Sequence, residues 1–238
     1  MTSRPANRRR PVAAWVWQLA ADRPGTMHEV IRDELRVVIL AGLARPGAPI
    51  NVDDVAQRFG ASRIPVREAL KTLIGESLVD HEPRAGYRVA QLTRTELAEL
   101  YVVREALEAA AISAAVAAAT PEDDAEVADA HQALSRAIEE HDARGHHVLS
   151  RRLHLALTSP CRMRRLLGMF ESAWNITEPL QPMSHVDDEM TASLHDDHGL
   201  MVEAFHARDA ATLIAISASH YQRLQQVVAS LPPTRLRP

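Results

Sequence analysis

Cysteine, glycine and aromatic residues are scarce in this chain, and no long apolar run occurs in it. The 238 residues include one cysteine, Cys161, so no disulfide can form within the chain, which suits a reducing compartment such as the cytosol. Only 9 residues are glycine, which excludes a collagen-like fold. No uncharged apolar stretch approaches the roughly 20 residues that span a bilayer, and the opening 21 residues lack a convincing cleavage site. We therefore expect a cytoplasmic protein without a membrane anchor.

What is abundant favours helices. Alanine, leucine, arginine and glutamate predominate, and these residues lose little conformational freedom on entering a helix. The length suits two domains. The charge is also divided, because residues 1–92 carry 14 basic and 10 acidic side chains whereas residues 93–238 carry 13 and 21. A basic first part joined to an acidic second part is typical of a nucleic-acid-binding module followed by a second domain.

Residues 25–91 have the pattern of a winged helix-turn-helix. Apolar residues at helical spacing predict a helix over 27–43, and Asn51 and Ser62 are suitable N-caps for a short second helix and a third helix that reaches Gly75. Two short extended runs around residues 83–86 then predict a β-hairpin. We expect residues 1–24 to form a poorly ordered basic arm, although Trp15 and Trp17 offer groups that could dock.

Residues 92–230 are predicted to form a second, all-helical domain, followed by a tail over 231–238. Thr93 and Thr120 are N-caps, and Pro121 stands at a first helical position, where its missing N–H is tolerated. Further helices are predicted at about 146–158, 161–178, 187–207 and 209–230, and no strand is predicted after residue 90. The fold class is therefore mainly α, with a small wing and a bundle of about six helices.

The third helix of the first domain presents a basic stripe. Arg63, Arg67 and Lys71 are spaced four residues apart, so they share one exposed helical face. Arginine can bind guanine bidentately in the major groove, Ser62 at the helix start can contact a phosphate, and Arg84 on the hairpin can contact the DNA backbone or minor groove. The alternative is a merely solvated face. We favour DNA contact because the stripe lies within a complete helix-turn-helix-wing order.

These residues resemble a known signature. The run Ser62-Arg63-Ile64-Pro65-Val66-Arg67-Glu68-Ala69-Leu70, with the wing Pro83-Arg84-Ala85-Gly86-Tyr87, resembles the DNA-binding domain of the GntR superfamily. The resemblance implies a homodimeric bacterial transcription regulator that binds a short palindrome in double-stranded DNA. It also implies DNA contacts by Ser62, Arg63, Pro65, Arg67, Arg84 and Gly86. Asp53 departs from the pattern, since some members carry a basic residue there.

Three histidines of the second part, His154, His198 and His220, fall in predicted helices. Imidazoles that converge from different helices can hold Zn²⁺ or Ni²⁺. The alternative is that they are solvated or hydrogen-bonded histidines, because the sequence contains 12 histidines in all.

The second part resembles the FCD ligand-binding domain, which defines the FadR-like subfamily. The resemblance rests on Arg104-Glu105-Ala106-Leu107-Glu108, Leu153-His154-Leu155-Ala156-Leu157 and Asp197-His198-Gly199-Leu200, followed by Arg208-Asp209-Ala210 and His220-Tyr221. It implies one divalent metal held by three histidines and an aspartate, and here Ser150 occupies the aspartate position. Three outcomes stay open: a three-histidine site, a site completed by Asp142 or Asp196, or a pocket without metal.

The same resemblance implies that the helical domain senses a small carboxylate. Arg104, on the first helix of the bundle among apolar neighbours, is a candidate to bind that carboxylate. Ser150 and Asn175 are further candidate effector-binding residues, and Thr177 could line the same cavity. An ion pair between Arg104 and Glu108 is an equally good interpretation. His146 and His147 are expected to be solvated. We expect a ligand-responsive transcriptional repressor, and the alternative function is a metal-dependent enzyme that uses the three histidines.

Overall fold

A computed structural model of the chain describes residues 11–180, 186–230 and 236. Its elements confirm the predicted fold class, with helices predominant and one small sheet in the first part of the chain. Residues 1–10 of the predicted arm and most of the predicted tail lie outside the described residues. None of the described helices is long and apolar enough to cross a membrane.

The first domain has the predicted order of helices and wing. Its three helices are α1 (Met27–Leu40), α2 (Val52–Arg58) and α3 (Arg63–Gly75). A capping box between Thr26 and Glu29 begins α1, and the Asn51 side chain accepts a hydrogen bond of 2.8 Å from the amide of Asp53 at the start of α2. Gly60, at φ 59°, lets the chain turn between α2 and α3.

The wing is the antiparallel pair β2 (Val79–Glu82) and β3 (Gly86–Val89), in the register Val79 opposite Val89. A short strand that the sequence pattern did not predict, β1 (Pro49–Ile50), pairs with the other edge of β3. The sheet therefore ties the loop before α2 to the wing, which places the wing beside the start of the helix-turn-helix.

The prediction of a disordered N-terminal arm is wrong for residues 11–24. Ala14–Gln18 form a 3₁₀ turn, and Trp15 joins the apolar core of the first domain. The buried carboxylate of Glu34 on α1 anchors this segment, because it accepts a 2.7 Å hydrogen bond from the amide of Ala20 and pairs with Arg23 at 2.8 Å. A buried carboxylate needs such partners, so the segment completes the domain.

The second domain contains six helices within the described residues, as predicted: α4 (Arg94–Ala118), α5 (Pro121–Glu139), α6 (Ala143–Thr158), α7 (Arg164–Thr177), α8 (Asp188–His206) and α9 (Ala210–Ser230). Capping boxes at Thr93 and Thr120 set the starts of α4 and α5. In the bundle, α4 packs against α7 and α9, and α5 packs against α6 and α8. Leu236, from the predicted tail, is buried against the end of the bundle near Leu97.

A buried polar layer divides the core of the bundle. Along α4, Tyr101 belongs to one apolar cluster and Ile112 to a second, and the buried Arg104 and Glu108 lie between them. The same order holds on α9, where the buried His220 lies between Leu213 and Leu224. Burying polar side chains costs free energy unless they are paired, so this layer is a candidate site.

Candidate functional site

The basic stripe of α3 is exposed as the sequence predicts. Arg67 and Lys71 lie on the surface and, within the described residues, neither makes a side-chain hydrogen bond or an ion pair. Ser62 is the N-cap of α3, and its side chain makes no capping hydrogen bond. Its hydroxyl is therefore available to a ligand at the positive end of the helix dipole.

Arg63 differs from the other two cations of the stripe because it is paired with an acid. Its guanidinium donates two hydrogen bonds to the Asp53 carboxylate, one from Nε to Oδ1 and one of 2.9 Å from Nη2 to Oδ2. Both side chains are exposed. The departure noted at Asp53 in the sequence therefore contacts one of the candidate DNA-binding residues.

The wing adds a second basic edge beside α3. Arg84 lies at the turn of the hairpin with φ 72°, and Gly86 follows with φ 87°, a conformation that favours glycine. Arg67, Arg84 and His81 line an open cleft between α3, the wing and the loop before α2. Pro65, half-buried in the first turn of α3, shapes the helix start rather than offering a donor.

In the second domain, three predicted histidines converge. His154 on α6, His198 on α8 and His220 on α9 are all buried, and one ring nitrogen from each lies within 4.8 Å of the others. Within the described residues, Nε2 of His154 and both ring nitrogens of His198 have no hydrogen-bond partner. Unpartnered nitrogens at this spacing are typical of a metal-binding site.

Two carboxylates orient the histidines from outside the cluster. Nδ1 of His154 lies 2.6 Å from Oε1 of Glu108, so His154 directs Nε2 towards the other two rings. Nδ1 of His220 lies 3.4 Å from Oδ2 of Asp197, whose carboxylate is also paired with Arg223. A carboxylate behind a histidine ligand fixes its tautomer and raises its basicity.

The environment keeps His198 and His220 neutral. Burial, and then the neighbouring His220 and His154, hold the pKa of His198 well below its usual value. Burial lowers the pKa of His220 to about 4, although the hydrogen bond that its ring donates to the Asp197 carboxylate opposes the shift. Neutral imidazole is the form that binds metals, so near pH 7 these two rings are ready to act as ligands.

Arg104 is a buried cation in an aromatic cage. Its Cζ lies 3.3 Å from the ring centroid of Trp174 and 4.8 Å from that of Tyr101, and Nη1 donates a 3.2 Å hydrogen bond to Oγ1 of Thr177. Within the described residues, Nε and Nη2 have no partner and Arg104 forms no ion pair, so the predicted pair with Glu108 does not form. Two unpartnered donors on a buried cation are suited to an anion.

One cavity joins these groups. Its lining includes Arg104, Ser150, His198 and His220. The predicted residue Asn175 is not part of the lining. Thr177 also lines the cavity, and residues that the sequence did not point to complete the walls: Tyr101, His147, Trp174, Leu194 and Leu224.

Several expectations about neighbouring residues were wrong. His146 and His147 are buried rather than solvated, and Nε2 of His147 lies 3.1 Å from the Glu178 carboxylate. Neither carboxylate suggested as a replacement ligand reaches the histidines, because Asp142 caps α6 through the amide of Gly145 and Asp196 is exposed. The acids beside the histidines are Glu108 and Asp197, which the helical spacing alone did not single out.

Comparison with known proteins decides the family. The sequence model described as bacterial regulatory proteins, gntR family, matches residues 27–89, and the model of the FCD domain matches residues 99–223. The chain belongs to the GntR family of transcription regulators, with an FCD domain. Proteins of this family bind DNA operators, and the chain is a regulator rather than an enzyme, so the alternative of a metal-dependent enzyme has no support.

Relatives agree with this assignment. The chain is 28% identical over 195 residues to the HTH-type transcriptional repressor GlaR of Escherichia coli (strain K12), covering 76% of this chain and 86% of that protein. It is 29% identical over 144 residues to the HTH-type transcriptional regulator McbR of the same strain, a match that spans 60% of this chain and 65% of McbR. The solved structure of E. coli McbR/YncC has the same fold, with a TM-score of 0.77, 24% identity and coverage of 87% and 98% of the two chains.

Proposed function

We propose that this GntR-family regulator is an operator-binding repressor whose helical domain senses a small carboxylate beside a bound divalent metal. The observation that carries the proposal is the shared cavity. It brings a buried arginine without an ion pair together with histidines whose ring nitrogens have no hydrogen-bond partner. The first domain supplies the output, a basic helix and wing, in the same chain.

The operator is read by α3 and the wing. Arg63, Arg67 and Lys71 would contact base edges and phosphates from the major groove, Ser62 would bind a phosphate at the helix start, and Arg84 would contact the flanking backbone or minor groove. Palindromic operators match two-fold symmetric proteins, so the working unit would be a homodimer. Sedimentation of the purified chain measures that state, and a monomer at micromolar concentration would contradict it.

Substitution of Arg67 tests whether the exposed basic face of α3 reads the operator. Operator duplexes are first selected in vitro from random sequences with the wild-type chain, and affinity is then measured by fluorescence anisotropy. Arg67→Ala should weaken the free energy of binding to the selected duplex by about 1–3 kcal/mol, the contribution of an arginine that contacts a base bidentately. Arg162→Ala, which removes an exposed cation from the helical domain, is the matched control. Equal affinities for the two variants would contradict the proposed face.

The donor set fits a divalent metal. His154, His198 and His220 would hold it as neutral imidazoles, with Glu108 and Asp197 behind two of them. Three histidines with nitrogen donors suit Zn²⁺ or Ni²⁺. When bound, such an ion supplies a Lewis-acidic position for an oxygen ligand. Ser150 brings a neutral hydroxyl where the family resemblance implies a carboxylate ligand. One coordination position of the metal would therefore be left for an oxygen of the effector.

Arg104 would bind the effector carboxylate. Its Nε and Nη2 offer donors that have no partner within the described residues, and Trp174 stacks on the guanidinium so that its plane is fixed. Sugar acids, hydroxy acids and amino acids small enough for the cavity are the classes to examine. Binding of one of them would change the population of bundle conformations and so the spacing of the two winged domains of a dimer.

Thermal stability tests the sensing site. Metal-loaded chain is melted with each acid of a panel drawn from these three classes. At one hundred times its Kd, a bound acid adds about 2.7 kcal/mol, which raises Tm by about 5–10 °C in a chain of this size. In Arg104→Met the rise should disappear, whereas Arg162→Met should keep it. An acid that stabilises wild type and Arg104→Met equally would contradict the role of Arg104.

A further inference from the structure

Asp53 is an acid on a surface that the proposed function assigns to DNA. It lies in the first turn of α2, its side chain is 57% exposed, and it faces Arg63 at the start of α3. A carboxylate near phosphates opposes binding to every DNA sequence, because the repulsion does not depend on the bases. Its presence there suggests a compensating contribution to base reading.

The contact with Asp53 engages one edge of the Arg63 guanidinium and leaves another edge free. The Asp53 oxygens accept hydrogen bonds from Nε and Nη2, whereas Nη1 makes none within the described residues. The edge formed by Nη1 and Nη2 therefore still carries two parallel N–H groups. Guanine presents O6 and N7 to such a pair of donors in the major groove, so Arg63 can bind Asp53 and guanine at the same time.

We propose that Asp53 is a positioning residue that orients Arg63 for reading one guanine in each half-site. An arginine side chain has several rotatable bonds, and holding it in one orientation before binding lowers the entropy lost on contact. The inference rests on the proposed role of α3 in operator reading. It extends that role by assigning guanine as the base that Arg63 contacts and Asp53 as the residue that orients Arg63.

The inference predicts two effects of opposite sign. Replacing Asp53 removes a negative charge, so affinity for non-specific DNA should rise at every salt concentration where binding is measurable. Losing the orientation of Arg63 should at the same time lower discrimination at one G·C pair. An ion pair that merely stabilises the fold would change neither the ranking of bases nor the position that is sensitive to them.

The experiment uses the full chain and duplexes selected in vitro with the wild type. Each G·C pair of the selected half-site is replaced in turn by A·T, and each guanine by 7-deazaguanine, which lacks the N7 acceptor. Anisotropy then measures discrimination by the wild type and by Asp53→Asn, Asp53→Ala and Arg63→Ala. Asp54→Asn is the matched control, because it removes the same charge from the same helical turn and Asp54 makes no hydrogen bond to Arg63.

We expect the wild type to prefer guanine at one pair by about 5- to 150-fold, the range of a good bidentate contact. Arg63→Ala should abolish this preference, and Asp53→Ala should reduce it at least fivefold at that pair alone. The guanine preference of Asp53→Asn should lie between those of Asp53→Ala and the wild type, since an amide oxygen still accepts one hydrogen bond. Asp54→Asn should keep the preference, and all three acid-to-neutral variants should bind non-specific DNA more tightly.

Three results would overturn the inference. The first is an unchanged or increased guanine preference in Asp53→Ala, which would make Asp53 a competitor of the base or irrelevant to it. The second is an equal loss in Asp54→Asn, which would assign the effect to charge alone. The third is a guanine preference that survives in Arg63→Ala. If the wild type selects no sequence at all, the proposed operator reading fails first, before any variant is compared.

Discussion

Acid stability offers a quantitative test of how the helical domain is packed around its histidines. His146 lies in the first turn of α6 and is 5% exposed. Burial, and then the neighbouring His147, His195 and His220, lower its pKa to about 4 from 6.5. The unfolded chain therefore takes up a proton near pH 6.5 that the folded chain refuses until about pH 4.

The sign and size of the effect follow from that difference. Above pH 6.5 both states hold neutral His146, and its titration costs no stability; as the pH falls from 6.5 to 4, protonation favours the unfolded chain. Each pH unit in this window costs about 1.4 kcal/mol, so about 2 kcal/mol is lost by pH 5. Replacement by glutamine should remove this loss, because an amide does not titrate.

The assay is urea unfolding of metal-stripped chain at pH 7 and pH 5, followed by circular dichroism. Between the two values His146→Gln should lose about 2 kcal/mol less stability than the wild type, whatever its stability at pH 7. His206→Gln, a substitution of an exposed histidine on α8, is the control and should follow the wild type. If His146→Gln loses as much stability as the wild type, the buried and neutral state of His146 is refuted.

Three further substitutions test other contacts. Glu108→Gln keeps an oxygen near Nδ1 of His154 but removes the negative charge. The affinity of the chain for Zn²⁺, measured by competition with a chelator, should therefore fall by about 10- to 100-fold. An unchanged affinity would contradict the role of Glu108 in orienting His154. Trp15→Ala should destabilise the first domain by about 3 kcal/mol in urea unfolding, because the side chain of Trp15 is buried. The control Trp17→Ala, at a side chain that is 59% exposed, should cost under about 0.5 kcal/mol. Equal costs would mean that the segment does not pack on the core. Leu70→Ala, at the fully buried face of α3, should cost about 2–5 kcal/mol, and a cost under about 1 kcal/mol would contradict the packing of α3 on α1.

The helices and the wing were predictable because their signals are local. Asn51, Thr93 and Thr120 are caps that act within their own first turn, and the hairpin turn at residues 83–85 lies between two short extended runs. The strand β1 escaped prediction because two residues carry no periodicity. The sequence indicated that Trp15 could dock but not where, since the anchor of this segment is a carboxylate, Glu34, that is distant in sequence.

The candidate site was predictable only in part, because its contacts join distant helices. The three histidines were identified through the family resemblance and do converge. Glu108 contacts His154, which is 46 residues away, and local helical spacing instead suggested a pair between Glu108 and Arg104. The cage around Arg104 likewise depends on Trp174, which is distant in the sequence. From the sequence alone, Trp174 is indistinguishable from an ordinary core aromatic residue.

Metal content is the measurement that tests the central claim, a metal-centred sensor in the helical domain, most directly. Metal-stripped chain is titrated with Zn²⁺ and with Ni²⁺, and bound metal per chain is measured after removal of the excess. We predict one equivalent of one of these ions in the wild type and in His206→Ala, and none in His198→Ala, which removes one of the three clustered histidines. Wild-type chain that retains neither ion, or His198→Ala chain that retains as much as the wild type, would contradict the account.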